Sequence, residues 1–245
     1  MPIEHLLLLV VAIALVAFLY ASVGHAGASG YIAVMSLAAL SPAVIKPSAL
    51  VLNILVASIG SWQFYRAGYF SWRLFWPFAL LSIPFAFVGG YADLPTHLFK
   101  ILVGAVLLLS AGYFFWQPHN DSVRREPSKP AAIGAGGVLG LFAGLTGTGG
   151  GIFLTPLLLI MRWARTKNAA ATSSLFILVN SIAGLLGNVS GARNIPGLVV
   201  PLAIAAVMGG AAGSYLGSER FAPALIKRLL AVVLVIAGTK LILTA

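Results

Sequence analysis

Long apolar runs, separated by short polar or glycine-rich stretches, extend from one end of the chain to the other. In the first part they cover residues 3–22, 30–45, 48–64, 72–92 and 96–117, and in the second part 131–146, 151–163, 168–188, 197–217 and 224–244. Runs of about 20 apolar residues are long enough to cross a bilayer as an α-helix. The pattern therefore predicts an all-α polytopic membrane protein, with about 8–10 membrane segments of this kind.

Two of the polar interruptions are glycine-rich and lie about half a chain length apart. The first is residues 24–30, GHAGASG, and the second is residues 147–151, GTGGG. The intervening polar stretch at 118–130 contains three prolines and a cluster of charges, which is typical of a linker. These features predict an internal duplication. Its parts are a first transmembrane repeat at 1–117, a cytoplasmic linker at 118–130 and a second transmembrane repeat at 131–245.

The distribution of Lys and Arg bears on how the chain crosses the membrane. If each glycine break were a kink inside one span, the eight resulting spans would leave 8 basic residues on one side and 7 on the other. If the chain doubles back at each break, one side collects 11 of them and the other 4. Because cytoplasmic loops are enriched in basic residues, we expect doubling back, with both termini on the non-cytoplasmic side.

An odd number of segments per half places the two halves in opposite orientations. The predicted fold is therefore two inverted structural repeats, each of four spans plus a glycine-broken or re-entrant helix. Glycines at four-residue spacing predict two close contacts between helices. They are Gly136, Gly140 and Gly144 in one stripe, and Gly209, Gly213 and Gly217 in the other.

Composition narrows the function classes. Hydrophobic residues make up 60% of the chain and charged residues 8%, against about 25% charged residues in soluble domains. Cysteine is absent, which excludes disulfides and Cys-ligated metals. The net charge of +10 comes from residues scattered at segment ends, so we expect contact with the lipid bilayer and no nucleic-acid partner. No Lys or Arg precedes the run at 3–20, which favours a retained span over a cleaved signal peptide.

The two breaks are where binding chemistry is expected. A glycine run before a helix leaves backbone N–H groups free, and the positive end of the helix dipole adds to them, so such a site suits an anion. Paired broken helices in two halves indicate the binding site of a transporter. The predicted substrate-binding residues are Gly24, His25, Ala26, Gly27, Ser29, Asn53, Thr146, Gly147, Thr148, Gly149, Gly150, Gly151 and Asn180. The alternatives are a structural hinge at each break, hydroxyls that cap helix ends, and asparagines that bridge helices.

His25 is the only ionisable residue inside either break, so it is a candidate for proton coupling. A neutral histidine, hydrogen-bonded within the bundle, is the simpler interpretation. All five carboxylates, Glu4, Asp93, Asp121, Glu126 and Glu219, fall at or near segment ends. We therefore predict no catalytic residues, no metal, no cofactor and no enzymatic activity.

Residues 141–156, LFAGLTGTGGGIFLTP, and 170–175, AATSSL, resemble the sulfite exporter TauE/SafE family, also called the 4-toluene sulfonate uptake permeases. The resemblance covers nearly the whole chain, although Gly24-His25-Ala26-Gly27 replaces a richer glycine run in the first repeat. It implies a small carrier for sulfur-containing anions such as sulfite and organosulfonates, and it leaves open import and export.

Taken together, the predicted function is that of an inner-membrane secondary carrier of small sulfur oxyanions that works by alternating access. Its expected partners are the anionic substrate and the bilayer, and a homo-oligomer is compatible with the sequence. An anion channel of the same architecture, an intramembrane enzyme and a structural subunit of a larger complex are the alternatives.

Overall fold

The computed structural model describes residues 3–22, 26–115, 127–191, 194–217 and 223–245. These residues form α-helices and connecting loops, with no strand among them. The helices are α1 (Ile3–Ser22), α2 (Ala28–Leu37), α3 (Pro42–Arg66), α4 (Trp72–Tyr91), α5 (Thr96–Phe115), α6 (Lys129–Thr146), α7 (Gly151–Ile160), α8 (Thr166–Ser190), α9 (Val199–Gly217) and α10 (Pro223–Leu243).

The order of helix lengths is the same in the two halves of the chain. The first half has helices of 20, 10, 25, 20 and 20 residues, and the second half has helices of 18, 10, 25, 19 and 21 residues. Helices α1, α3, α4, α6 and α8 are long and apolar enough to cross a membrane. The short α2 and α7 are about 15 Å long, half the thickness of the hydrocarbon core. The predicted all-α polytopic architecture is confirmed.

Backbone conformation repeats along with helix length. Gly27 and Gly150 precede the two short helices with φ of 87° and 79°, and Ala39 and Arg162 follow them with φ of 57° and 54°. The left-handed region is uncommon for residues with a Cβ, so its occurrence at equivalent places after α2 and α7 is informative. The chain enters and leaves each short helix through the same pair of sharp turns.

Two expectations about the first half need correction. The apolar run at 30–45 is not one segment, because α2 ends at Leu37 and α3 begins at Pro42, where a proline at the first helical position favours a helix start. Lys46 was expected in a connecting region outside the spans. It lies inside α3 instead, and only 6% of its surface is exposed.

Helices α4, α6 and α8 run in the same direction. Residues at their beginnings line one cavity, namely Arg73, Lys129 and Arg165. Residues at or just past their ends line a second cavity, namely Ala92, Leu145 and Asn188, together with Lys46 near the beginning of α3. We call the first location the basic end of the bundle and the second the opposite end.

Each short helix runs back towards the end of the bundle at which the preceding helix begins: α2 towards the start of α1, and α7 towards the start of α6. His5 at the start of α1 and Leu37 at the end of α2 line a common cavity. Trp163, which follows α7, lines the cavity at the basic end where α6 begins. Lys240 of α10 donates to the Leu37 carbonyl, and Lys100 at the start of α5 donates to the Thr244 carbonyl. Since α5 begins at the opposite end, α1 also begins there, which is consistent with inverted repeats.

The glycine stripes hold helices in close contact. A Cβ added to Gly136, Gly140 or Gly144 of α6 would meet a backbone carbonyl of α4, and one added to Gly209 or Gly213 of α9 would meet a carbonyl of α1. The predicted role in packing is confirmed for these five glycines. The contacts of Gly217, the sixth predicted position, are not among those that the structure describes. The contact of α4 with α6 and that of α1 with α9 involve equivalent helices of the two repeats.

Candidate functional site

The second glycine break separates two helices through left-handed backbone. α6 ends at Thr146 and α7 begins at Gly151. Between them, φ is 79° at Gly147, 70° at Gly149 and 79° at Gly150. Only glycine adopts these conformations without steric strain. The N-cap residue of α7 is Gly150, which has no side chain to bond the first amides of the helix, and these amides have no partner within the helix. The break therefore presents a buried helix N-terminus without a capping side chain.

Side chains from α3 and α8 meet at this break. The Asn53 amide nitrogen donates to the Gly147 carbonyl at 3.1 Å. A Cβ placed on Gly149 would lie 2.7 Å from the Ser181 Oγ and 3.4 Å from the Asn53 amide nitrogen. The structure thus brings the predicted residues Asn53, Gly147 and Gly149 together. The structure also places Ser181 at the break. The sequence shows that this residue is polar but does not show that it lies there.

Several polar atoms on α3 and α8 are buried without a hydrogen-bond partner in the described part of the chain. They include Asn53 Oδ1, Ser181 Oγ, Thr172 Oγ1 and both side-chain polar atoms of Asn180. A buried polar group without a partner is costly in a protein interior. The pair formed by α3 and α8 therefore offers both donors and acceptors to a polar ligand beside the break. Contact of Asn180 with that ligand stays a prediction.

The two threonines of the second break bond to the end of α6. Thr146 Oγ1 donates to the Phe142 carbonyl at 2.6 Å and lies 2.9 Å from Thr148 Oγ1. A threonine hydroxyl has a single hydrogen to donate, so the Thr148 hydroxyl is the donor to Thr146. Thr146 therefore bonds back to its own helix and Thr148 bonds to Thr146; their contact with substrate stays a prediction.

At the first break the structure describes residues from Ala26 onward, so Gly24 and His25 lie outside it. Gly27 precedes α2 without a capping side chain, as Gly150 precedes α7. Ser29 Oγ lies 2.7 Å from the Tyr20 hydroxyl and is therefore bonded within the bundle. A Cβ on Gly27 would lie 2.8 Å from the Tyr31 hydroxyl, which is buried without a partner in the described residues. Sequence reasoning missed Tyr31, although it stands four residues after Gly27.

The two breaks are connected through the central helices. α2 packs on α3, α7 packs on α8, and α3 packs on α8. Leu50 Cδ2 lies 3.4 Å from a Cβ position on Gly184, and Ser174 Oγ lies 3.4 Å from one on Gly60. These two contacts are equivalent in the two repeats and show that α3 and α8 run antiparallel. The contacts described for Gly27 and Ser29 lie within α1 and α2, so convergence of the breaks on one pocket stays a prediction.

A buried cation lies on the side of the second break towards the opposite end. The Lys46 ammonium donates to the carbonyls of Gly89, Gly90 and Ala92 at 2.9, 3.0 and 3.2 Å. The Lys46 carbonyl oxygen is 3.1 Å from a Cβ position on Gly147. Lys46 also lines the cavity of about 380 Å³ at the opposite end. Ser41 and Pro42 mark a helix start just before this residue, but no local pattern predicts that its ammonium is buried.

The groups that the described residues bring to the second break are suited to binding. Within the described ranges no cluster of three His, Asp or Glu residues is placed to hold a metal ion, and the chain has no cysteine. The groups that meet at the second break are backbone amides, an amide side chain and a hydroxyl. Such groups recognise an oxyanion by hydrogen bonds and by the helix dipole.

Comparison with known proteins gives a consistent picture. Residues 9–241 match the family model for sulfite exporter TauE/SafE. The chain is 37% identical over 239 residues to the "Probable membrane transporter protein y4hK" of Sinorhizobium fredii, covering 96% of this chain and 97% of that protein. It is 29% identical over 120 residues to the "Probable membrane transporter protein MJ0441" of Methanocaldococcus jannaschii, covering 47% and 45%. No solved structure gives a significant match.

Proposed function

The chain belongs to the sulfite exporter TauE/SafE family, and from that premise we propose that it is a secondary carrier of small sulfur-containing oxyanions such as sulfite or organosulfonates. It is a membrane protein with several spans in a family of membrane transporters. The proposal adds the substrate class and transport by alternating access. It includes no cofactor and no enzymatic step.

The observation that carries the proposal is the buried N-terminus of α7. Its N-cap residue is Gly150, which has no side chain, and beside it lie Asn53 Oδ1 and Ser181 Oγ, which have no hydrogen-bond partner among the described residues. In partly buried geometry a helix terminus stabilises a charge of the matching sign by up to about 2 kcal/mol. The amides of this helix N-terminus and the Ser181 hydroxyl can donate, whereas Asn53 Oδ1 can only accept. A small anion with several oxygen acceptors fits these amides and this hydroxyl better than a cation or an apolar solute would.

The proposed binding site includes both breaks. From the second half it takes Thr146, Gly147, Thr148, Gly149, Gly150, Gly151 and Asn180, and from the first half it takes Gly24, His25, Ala26, Gly27, Ser29 and Asn53. We add Ser181 and Tyr31, because each has a buried hydroxyl without a described partner at a break. The two uncapped termini, one in each repeat, support a shared central site.

The cavity at the opposite end is the proposed route to this site. Its lining residue Leu145 lies two positions before Gly147, and the backbone of Lys46 contacts Gly147 itself. The glycines of the second break are buried, so a change in the packing of the helices around it is needed to admit substrate. Rocking of one repeat against the other would open this route and then the route from the basic end.

We place the protein in the cell inner membrane, with the basic end in the cytoplasm and both termini on the other side. The positive-inside rule supports this orientation. It assigns to the cytoplasm the linker and the basic end, at which Arg73, Lys129 and Arg165 lie together. The proposed partners are the anionic substrate and the bilayer.

Counterflow of labelled sulfite in proteoliposomes tests the proposal. Ser181→Ala removes a hydroxyl that has no described protein partner, so we expect weaker sulfite transport with little change in stability. Ser58→Ala is the matched control, because Ser58 also lies on a central helix but is exposed and donates to the Ile54 carbonyl at 2.6 Å. Equal transport by the two variants would contradict the proposed site.

The same preparation separates a carrier from an anion channel. A carrier saturates with substrate and accumulates label against an unlabelled pool, whereas a channel gives a current that follows the electrochemical gradient. Saturable counterflow with sulfite or a sulfonate, and little with chloride, supports the proposal. A steady sulfite current in planar bilayers without counterflow would overturn it.

A further inference from the structure

The cavity at the basic end is a candidate site that the proposed transport does not use. It has a volume of about 460 Å³, within the range of roughly 300–1,000 Å³ for small-molecule sites. Its lining includes Arg73, Lys129 and Arg165, which come from three segments far apart in the chain. No acidic side chain is among the described residues that line it. The fold thus gathers three cations around one concave surface.

Two tryptophans give this cavity the character of a membrane interface. Trp76 and Trp163 line it, and the Lys129 ammonium lies 5.7 Å from the centre of the Trp76 ring. Tryptophan is enriched at the level of the lipid headgroups, where its ring is partly in an apolar and partly in a wet environment. The cavity therefore lies where a headgroup could reach it.

The helix dipoles at this end do not favour the three cations. Arg73 and Lys129 are in the first turns of α4 and α6, and Arg165 immediately precedes α8. No acidic residue lies in the first turn of any of these three helices. A helix N-terminus favours negative charge, so three parallel N-termini and the cations Lys129 and Arg165 raise the electrostatic potential of one cavity together. An anion bound there would relieve both contributions.

Membrane topology accounts for only part of this arrangement. The positive-inside rule explains why basic residues lie on this side of the bilayer. It does not require residues from three segments to line one cavity with two indoles. Arg66 and Lys167 show the simpler situation, because neither lines the cavity. Arg66 lies over the Trp62 ring and Lys167 over the Tyr69 ring.

We infer that this cavity binds the phosphate of an anionic phospholipid headgroup. Basic pockets between transmembrane helices on the cytoplasmic side recognise such headgroups. The ligand would join the beginnings of α4, α6 and α8, so it would stabilise the packing of the two repeats against each other. The site is separate from the glycine breaks, and its test does not depend on the transported substrate.

The test titrates purified protein with short-chain phosphatidylglycerol and follows thermal stability. The double variant Lys129→Gln/Arg165→Gln should bind the lipid about 25-fold more weakly, since each cation near a membrane surface contributes about five-fold. The control, Arg66→Gln/Lys167→Gln, removes the same charge from the same end outside the cavity. We expect its affinity to change by no more than about two-fold, because neither side chain lines the cavity and salt screens charges that do not contact the ligand.

Two further arms fix the source of the phosphate. Short-chain phosphatidylcholine should give no stabilisation, because its headgroup has no net charge. Inorganic phosphate should stabilise the protein only weakly, because it lacks the apolar chains that hold a lipid at the interface. Stabilisation by inorganic phosphate as strong as by phosphatidylglycerol would overturn the lipid assignment. Equal loss of affinity in the two double variants would overturn the site itself.

Discussion

Replacing Gly149 by alanine tests whether the second break is packed against α3 and α8 as described. Gly149 has φ of 70°, and an added Cβ would lie 2.7 Å from Ser181 Oγ and 2.8 Å from Ile177 Cγ2. Gly68 is a matched control, since its φ is 75° and a Cβ there would meet nothing within 4 Å. Both substitutions carry the strain of a left-handed alanine, about 1–2 kcal/mol. Only Gly149→Ala also forces atoms into a filled space.

The difference between the two variants isolates the contact. Inserting a methyl group into a well-packed region costs about 1–3 kcal/mol. For a chain of this size, that corresponds to a melting temperature about 2–12 °C lower for Gly149→Ala than for Gly68→Ala. Thermal unfolding of the two purified variants in the same detergent measures this difference in melting temperature. Sulfite counterflow should fall with Gly149→Ala as well, because Ser181 and Asn53 must move.

The result that would refute the reasoning is a melting temperature for Gly149→Ala equal to that of Gly68→Ala. It would mean that the space beside Gly149 is open, so that Ser181 and Asn53 do not lie against the break. The glycine would then be required for backbone conformation alone.

Three other substitutions test separate features. Lys46→Met removes the ammonium that donates to the buried carbonyls of Gly89 and Gly90 and to the part-buried carbonyl of Ala92, and should destabilise the protein by about 3 kcal/mol or more. Lys100→Met, at the same end, removes a solvent-exposed bond to the Thr244 carbonyl and should leave the midpoint of chemical denaturation nearly unchanged. Gly140→Ala should lower thermal stability, because the added Cβ meets the α4 backbone. In Gly134→Ala, in the same helix, the added Cβ meets nothing within 4 Å, and alanine gains up to about 1 kcal/mol of helix propensity. A Gly140→Ala variant more stable than Gly134→Ala would contradict the glycine contact. His25→Gln should abolish transport driven by a pH gradient in proteoliposomes, and an unchanged pH dependence would remove proton coupling through this residue.

Much of the architecture was predictable because membrane segments are selected by length and apolar character. The runs of about 20 residues correspond to helices, and the glycine-rich stretches correspond to left-handed backbone at Gly27, Gly147, Gly149 and Gly150. In a bilayer, backbone groups must bond within their own segment, so an interruption of the apolar pattern is a strong signal. The spacing of Gly136, Gly140 and Gly144 likewise sufficed to predict a close contact of helices, although not with which partner.

The features that sequence reasoning missed depend on long-range contacts. Lys46 falls between the apolar runs at 30–45 and 48–64, and this position predicts a connecting region. Its ammonium is buried because three carbonyls at the end of α4 surround it, and no local pattern shows that. Tyr31 and Ser181 are ordinary residues of apolar helices until the fold brings their hydroxyls to a break. The bonds of Thr146 and Thr148 to each other and to α6 are likewise not specified by the sequence.

The pairing of α1 with α9 and of α5 with α10 has a consequence for biosynthesis. α1 packs against the glycines of α9, and α9 is synthesised about 200 residues after α1. At ordinary translation rates this delay is roughly 10–40 s. Until then α1 has no permanent neighbour on that face, so lipids or an insertion factor must cover it. A chain cut between α5 and α6 should therefore yield two fragments that accumulate only when they are expressed together.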